Sequence, residues 1–182
     1  LGFSSAASDV YKRQVLNNAG SKGSSLILGF MITAAVISMW VMNTATTIML
    51  LPIGLAVITV VKETVKDTST QELNSFQLAL LLGIAYGATI GGMSTLIGTG
   101  PNGMLAAFMA DNYDLDISFI DWMKVGVPLS CVMLPGCWFI LTKVIFKVNF
   151  ETSSATKDVL IKMKNELGNL SSNEMKVLIV FV

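Results

Sequence analysis

Two long stretches of this chain carry no charge at all. Between Lys22 and Lys62, and again between Glu72 and Asp111, every residue is apolar or uncharged polar, and a third, shorter stretch over residues 125–142 is the same. A helix crosses a hydrocarbon core of about 30 Å in about 20 residues, so the first two stretches are each roughly twice a span. Neither can be a single straight helix. The composition agrees, with 53% hydrophobic and 13% charged residues, where soluble domains run at about a quarter charged. The expected fold class is an all-α integral membrane protein.

Several chemistries are removed at once. The chain has no histidine, so neither a Ser-His-Asp triad, nor a histidine-bearing zinc site, nor an imidazole proton shuttle can be built from it. Twelve basic residues balance twelve acidic ones, which argues against nucleic acid as a partner. Cys131 and Cys137 both lie in the third apolar stretch and read as small buried hydrophobes rather than as a disulfide or metal pair.

The linkers carry helix-start signals. Ser69 with Glu72, Ser118 with Asp121 and Ser171 with Glu174 each place a carboxylate three residues after a hydroxyl, ahead of an apolar run, where both can meet free N–H groups. Lysine and arginine cluster in residues 12–22, 62–66 and 143–176, whereas residues 111–121 hold four aspartates and no base. By the positive-inside rule the basic segments are cytoplasmic and the aspartate-rich one is outside. The first apolar region must then begin and end on the cytoplasmic side, as a re-entrant hairpin or as two crossings joined by a tight outer turn. The second region crosses outward once and the third returns.

The two long regions are interrupted in ways that suggest a binding site. In the first, a polar knot over residues 38–47 and Pro52 divides the run at Met42, Asn43 and Thr44 into two arms of under about 20 residues. Non-helical backbone at membrane depth has to be buried in protein or line a wet cavity. In the second, Gly91 and Gly92, Ser94 and Thr95, then Gly98, Thr99, Gly100, Pro101, Asn102 and Gly103 break an apolar helix. These argue for an unwound, discontinuous helix rather than a dimerisation stripe. Pro101 suits the first turn of a new helix and Thr99 could cap it. Two helix starts facing each other can hold an anion where no Arg or Lys is at hand. The spans also lack Asp and Glu, so a coupling ion is better suited to Na⁺, held by hydroxyl, amide and carbonyl oxygens, than to a proton. Gly98, Gly100 and Gly103 match a dinucleotide fingerprint, but the apolar run before them is too long for a strand and Pro101 stands inside it.

At this point a resemblance emerges. Residues 38–53, "SMWVMNTATTIMLLPI", and residues 85–102, "AYGATIGGMSTLIGTGPN", resemble the cytoplasmic-side hairpin and the broken fifth helix of the divalent anion/sodium symporter family, carriers of dicarboxylates, citrate and sulfate. The resemblance runs over about residues 26–147 and implies half of an inverted-repeat transporter, without its scaffold helices or second repeat. Carried over by motif position, Ser38, the Met42 carbonyl, the Asn43 side chain and the Gly98 carbonyl would form a Na⁺ site, while Asn43, Thr44 and Thr99 would contact a substrate carboxylate. Met42 stands where the family has the serine of Ser-Asn-Thr, and Gly100 where it has a first proline. Met42 offers a carbonyl but no hydroxyl. The implied activity is Na⁺-coupled, elevator-type transport of a small di- or tricarboxylate or another divalent anion by a homodimer in the bacterial inner membrane, with no enzymatic step and no cofactor besides Na⁺ as coupling ion. The alternatives are a Na⁺-independent anion exchanger and a related ion transporter such as an arsenite exporter.

The expected organisation follows. Residues 1–14 read as a linker or assembly scar, 15–61 as the re-entrant helical hairpin, 62–75 as a cytoplasmic linker and 76–110 as the discontinuous transmembrane helix. An extracytoplasmic loop at 111–121 and a further span at 122–146 come next. The lysine-rich segment 147–175 reads as an amphipathic surface helix or, equally, a solvated linker helix. Residues 176–182 begin another span that stops with the sequence, so the chain is expected to be truncated.

Overall fold

The computed structural model of the chain describes residues 22–65 and 69–148. Residues 1–14, nearly all of 147–175 with the Ser171 and Glu174 start signal, and 176–182 lie outside the described residues. The described elements are all helical: α1 (Gly23–Ser38), α2 (Asn43–Thr64), α3 (Thr70–Met93), α4 (Gly100–Tyr113) and α5 (Phe119–Phe139), which runs on into a π-helical turn at Ile140–Ile145.

Among the described residues, three helices are long and apolar enough to cross a membrane: Asn43–Glu63, Thr70–Met93 and Phe119–Ile145. The 16 residues of α1 rise only about 24 Å, less than a bilayer core. α1 nevertheless packs extensively along α3 and also touches α2 and α5. Leu26, Ile27, Phe30, Met31, Ala34 and Ile37 are all buried on one broad face, while Leu28, Ile32 and Val36 on the opposite side are apolar but half-buried or exposed, so the helix is apolar all round rather than amphipathic. Leu50, Val57 and Val61 of α2 and Phe76, Leu80 and Ile84 of α3 complete the core.

α1 and α3 approach closely because α3 presents Gly83, Gly87 and Gly91 to it. A Cβ on Gly83 would meet Met31 Cγ at 3.1 Å, one on Gly87 would meet the Met31 carbonyl oxygen at 2.6 Å, and one on Gly91 would overlap the backbone of Ala35. Small residues four apart let two backbones touch where the surrounding lipid is as apolar as the side chains. Gly91 and Gly92 therefore do not break the helix, contrary to the sequence expectation. α3 continues through both to Met93, and the interruption is confined to residues 94–99.

The start signals at the linkers form as hydrogen bonds. Ser69 Oγ accepts from Glu72 N (3.3 Å) and Ser118 Oγ from Asp121 N (3.2 Å). The hairpin turn lies slightly earlier than expected, over residues 39–42, with Asn43 as the first residue of α2. The second arm is also longer than expected, at 22 residues. Pro52 stays inside α2 instead of ending it, as prolines in membrane helices often do. Of the two cysteines, Cys137 is half-buried but Cys131 is exposed, because α5 turns much of its surface away from the other helices. α4 ends on Asp114 in the left-handed region (φ 53°), with Leu115 N donating to the Met109 carbonyl at 3.3 Å, a helix stop usually made by glycine.

The glycine seam predicts a contrast. Gly91→Ala should destabilise the purified protein by about 1–3 kcal/mol, the usual cost of overpacking, whereas Gly136→Ala, inside α5 with nothing within 4 Å of its added methyl, should not destabilise it and should gain up to about 1 kcal/mol from helix propensity. Thermal unfolding in detergent distinguishes the two, and equal effects would remove the seam as the reason for close packing.

Candidate functional site

A helix end leaves its last four carbonyls without intrahelical partners, and away from water each must find a donor. α3 meets that demand in full. Ser130 Oγ of α5 donates to the Ile90 carbonyl (2.9 Å). The Gly91 carbonyl accepts from the backbone N of Ser94 (3.0 Å) and from its hydroxyl. Asn102 Nδ2 of α4 donates to the Gly92 carbonyl (3.0 Å), and Trp122 Nε1 of α5 to the Met93 carbonyl (3.0 Å). α5 reaches the break because Gly126, one turn from both Trp122 and Ser130, has no side chain to hold it off. A Cβ there would meet the Ser94 carbonyl oxygen at 2.7 Å.

The unwound segment is fastened in the same way. Asn102 is buried, and its Nδ2 also donates to the Thr95 carbonyl (2.7 Å), so one amide joins the end of α3 to the start of α4. The Thr95 side chain accepts from Gly98 N (3.0 Å) and donates to the Met39 carbonyl in the hairpin turn.

The hairpin tip meets this segment at the residues the sequence singled out. Ser38, fully buried at the end of α1, donates its hydroxyl to Asn43 Oδ1 at 2.7 Å, setting two oxygens side by side. Asn43 lies so close to α3 that any Cβ on Gly92 would overlap its Oδ1. Gly98 lies against the same place, its absent Cβ 2.8 Å from the Ser38 carbonyl oxygen and 2.5 Å from that of Gly92. Gly98 is thus brought against the Ser38–Asn43 pair from a position far along the chain. The Met42 carbonyl accepts the first helical bond of α2, from Thr46 N (3.0 Å), which leaves a second lone pair; its side chain is 64% exposed.

Thr44 is exposed in the first turn of α2, and Thr99 is the half-exposed N-cap of α4. Among the described residues, no hydrogen bond joins these two threonines to each other or to the Ser38–Asn43 pair. The expected Thr99 side-chain cap does not form. Neither α2 nor α4 has a side-chain cap, in contrast to the serine-capped α3 and α5. No group of three or more metal-ligating His, Cys, Asp or Glu side chains occurs among the described residues, so any cation here would depend on uncharged oxygens. Sequence reasoning placed Thr95 and Asn102 in the break without giving either a role, and passed over Trp122 and Ser130. For Thr95, Asn102 and Ser130 the available signal was a polar side chain in a charge-free stretch, which needs a partner; Trp122, between Asp121 and Lys124, carried no such signal.

Residues 5–182 match the citrate transporter family. The chain belongs to that family. It is 38% identical over 170 residues to the sodium-dependent dicarboxylate transporter SdcS of Staphylococcus saprophyticus, covering 93% of this chain and 33% of that protein. With SdcS of Staphylococcus aureus strain USA300 the identity is 34% over 169 residues, or 92% of this chain and 32% of that one. The chain thus spans about a third of the length of these curated relatives. The resemblance to divalent anion/sodium symporters holds across most of the chain, and with its apolar helices this citrate transporter family member is an integral membrane protein.

The carbonyl accounting predicts an order of stabilities within this fold. Asn102→Ala orphans two buried acceptors and should cost about 2 kcal/mol or more, while Trp122→Phe orphans one and should cost about 1 kcal/mol. Denaturation in detergent micelles tests this, and a reversed order would contradict the assignment of donors.

Proposed function

We propose that this chain is the amino-terminal part of the transport domain of a secondary carrier that couples Na⁺ to the movement of a di- or tricarboxylate, or another divalent anion, across the bacterial inner membrane. The observation that carries the reading is the convergence of Ser38, Asn43 and Gly98 at the start of α2, within stretches that hold no charge. In this reading the Ser38 hydroxyl, Asn43 Oδ1 and the Met42 and Gly98 carbonyls hold Na⁺, a hard cation suited to neutral oxygens. The Asn43 amide nitrogen, Thr44 and Thr99 meet a substrate carboxylate. The uncapped starts of α2 and α4 add N–H groups and partial positive charge on the substrate side. The names of the Staphylococcus relatives, sodium-dependent dicarboxylate transporters, support both the ion and the substrate class.

No bond is made or broken in this function. Na⁺ neutralises a site that has no cationic side chain, so the anion binds well only when the ion is present, and that conditional affinity is the coupling. α1 and α2 form the re-entrant hairpin, a second repeat supplies the other half of the site, and the domain moves past a scaffold in a homodimer by an elevator-like displacement. One observation favours a second reading. Met42 offers no hydroxyl where the family has serine, and a weakened Na⁺ site would suit a Na⁺-independent anion exchanger.

Uptake of labelled succinate, citrate and sulfate into proteoliposomes holding the full-length transporter separates these. An inward Na⁺ gradient should drive uptake of one of them, and Asn43→Ala should reduce that uptake to background at normal expression. Uptake that ignores Na⁺ but needs a trapped internal anion would establish the exchanger, and wild-type uptake by Asn43→Ala would remove both site assignments.

A further inference from the structure

We infer that Thr95 is a positioning residue for the cation site: its hydroxyl fastens the hairpin tip to the unwound segment and so sets the spacing between Asn43 and the Gly98 carbonyl. The inference rests on the Na⁺ reading proposed above.

Three hydrogen bonds meet at this one fully buried residue. The hydroxyl donates to the Met39 carbonyl, 56 positions away in the chain, and accepts from Gly98 N at 3.0 Å. The Thr95 carbonyl accepts from Asn102 Nδ2 at 2.7 Å. Among the described residues, the bond to Met39 is the one hydrogen bond between the hairpin turn and the unwound segment. The close approaches of Asn43 to Gly92 and of the Ser38 carbonyl to Gly98 are van der Waals contacts without a hydrogen bond. Such contacts set a minimum approach but resist separation weakly, whereas a hydrogen bond has a defined length and direction.

The two halves of the cation site lie on opposite sides of this bond. Ser38 and Asn43 belong to the hairpin, and Gly98 to the unwound segment. With its N–H held by Thr95, the Gly98 residue has a fixed orientation, and the hydroxyl that holds it is itself tied to the hairpin. Thr95 needs to touch neither ion nor substrate to act. Groups that orient the ligands of an ion without binding it commonly change affinity by about 10–100-fold when removed. The substrate contacts assigned to Asn43, Thr44 and Thr99 lie at helix starts and do not pass through the Thr95 hydroxyl, so the expected loss falls on the ion first.

The test uses the full-length transporter in proteoliposomes with labelled succinate, or whichever of the three anions is carried, as probe. Thr95→Val keeps the shape and removes the hydroxyl. It should raise the Na⁺ concentration for half-maximal uptake about tenfold or more, with the KM for the anion at saturating Na⁺ within about twofold of wild type. Thr95→Ser, which restores the hydroxyl, should restore Na⁺ activation. If Thr95→Val does not accumulate, Thr95→Cys, whose thiol donates only weakly, should show a rise in the same direction. Unchanged Na⁺ activation in the accumulating variant overturns the inference and leaves the sodium reading intact. An equal change in Na⁺ activation and anion KM, or a Thr95→Ser protein as impaired as Thr95→Val, assigns Thr95 a purely structural role and also overturns it. Wild-type uptake without Na⁺ dependence overturns the sodium reading and this inference with it.

Discussion

A helix that stops away from water must hand its last four carbonyls to other donors, and much of this structure serves that need at the end of α3. The donors come from three places: Ser94 in the following turn, Asn102 on α4, and Trp122 and Ser130 on α5. α5 is otherwise packed only lightly, with Val125, Leu129 and Val132 all exposed. Its attachment depends on Gly126, which lets its backbone approach the Ser94 carbonyl, and on tryptophan at both ends: Trp122 at the break, and Trp138 donating to the Ser24 carbonyl of α1 at 2.8 Å.

Once the end of α3 is satisfied, the segment after it can stay unwound without leaving its polar groups stranded. Thr95 and Asn102 are buried with all the bonds described, and the chain re-enters a helix at Gly100. Two requirements therefore meet at one place. The break needs donors for stability, and the proposed site for a small ion and an anion would need backbone oxygens and N–H groups that a continuous helix consumes. The glycines join these requirements. Gly87 and Gly91 bring α1 down onto α3 so that Ser38 arrives at the break, Gly92 makes room for the Asn43 side chain, and Gly98 lets the unwound segment pass beneath the end of α1.

α4 stands apart from this core. Apart from Asn102 it buries no residue, and Met104, Leu105 and Phe108 are exposed. A helix held at its first turn by a single buried asparagine is fixed where it begins and open along the rest of its length. That start is the end at which Thr99 lies, so the part of α4 nearest the proposed site is the part anchored to the core.

Much of the fold and several of the site residues were legible in the sequence, because their causes are local. Uncharged runs too long for one span required helices with interruptions. Serine followed three residues later by Glu or Asp placed the starts of α3 and α5, and Pro101 with Thr99 placed the start of α4. Ser38 and Asn43 stood out within a polar knot and Gly98 within a glycine-rich break, but their grouping into one candidate cation site came from the resemblance to the symporter family. What the sequence left open depended on partners far along the chain. Gly91 and Gly92 read locally as helix breakers, yet α3 runs through them, because their lack of side chains is used by Ala35 and Asn43 across the interface. Cys131 read as buried because it is apolar, but in a membrane protein an apolar residue can equally face outward, and only packing decides which. The donors to Ile90, Gly92 and Met93, and the bond from Thr95 to Met39, span separations of 10 to 56 residues. The sequence by itself required that such partners exist, since buried polar groups must be paired. Which residue met which was decided only when the helices packed, because a hydrogen bond depends on position in space and carries no trace in local spacing.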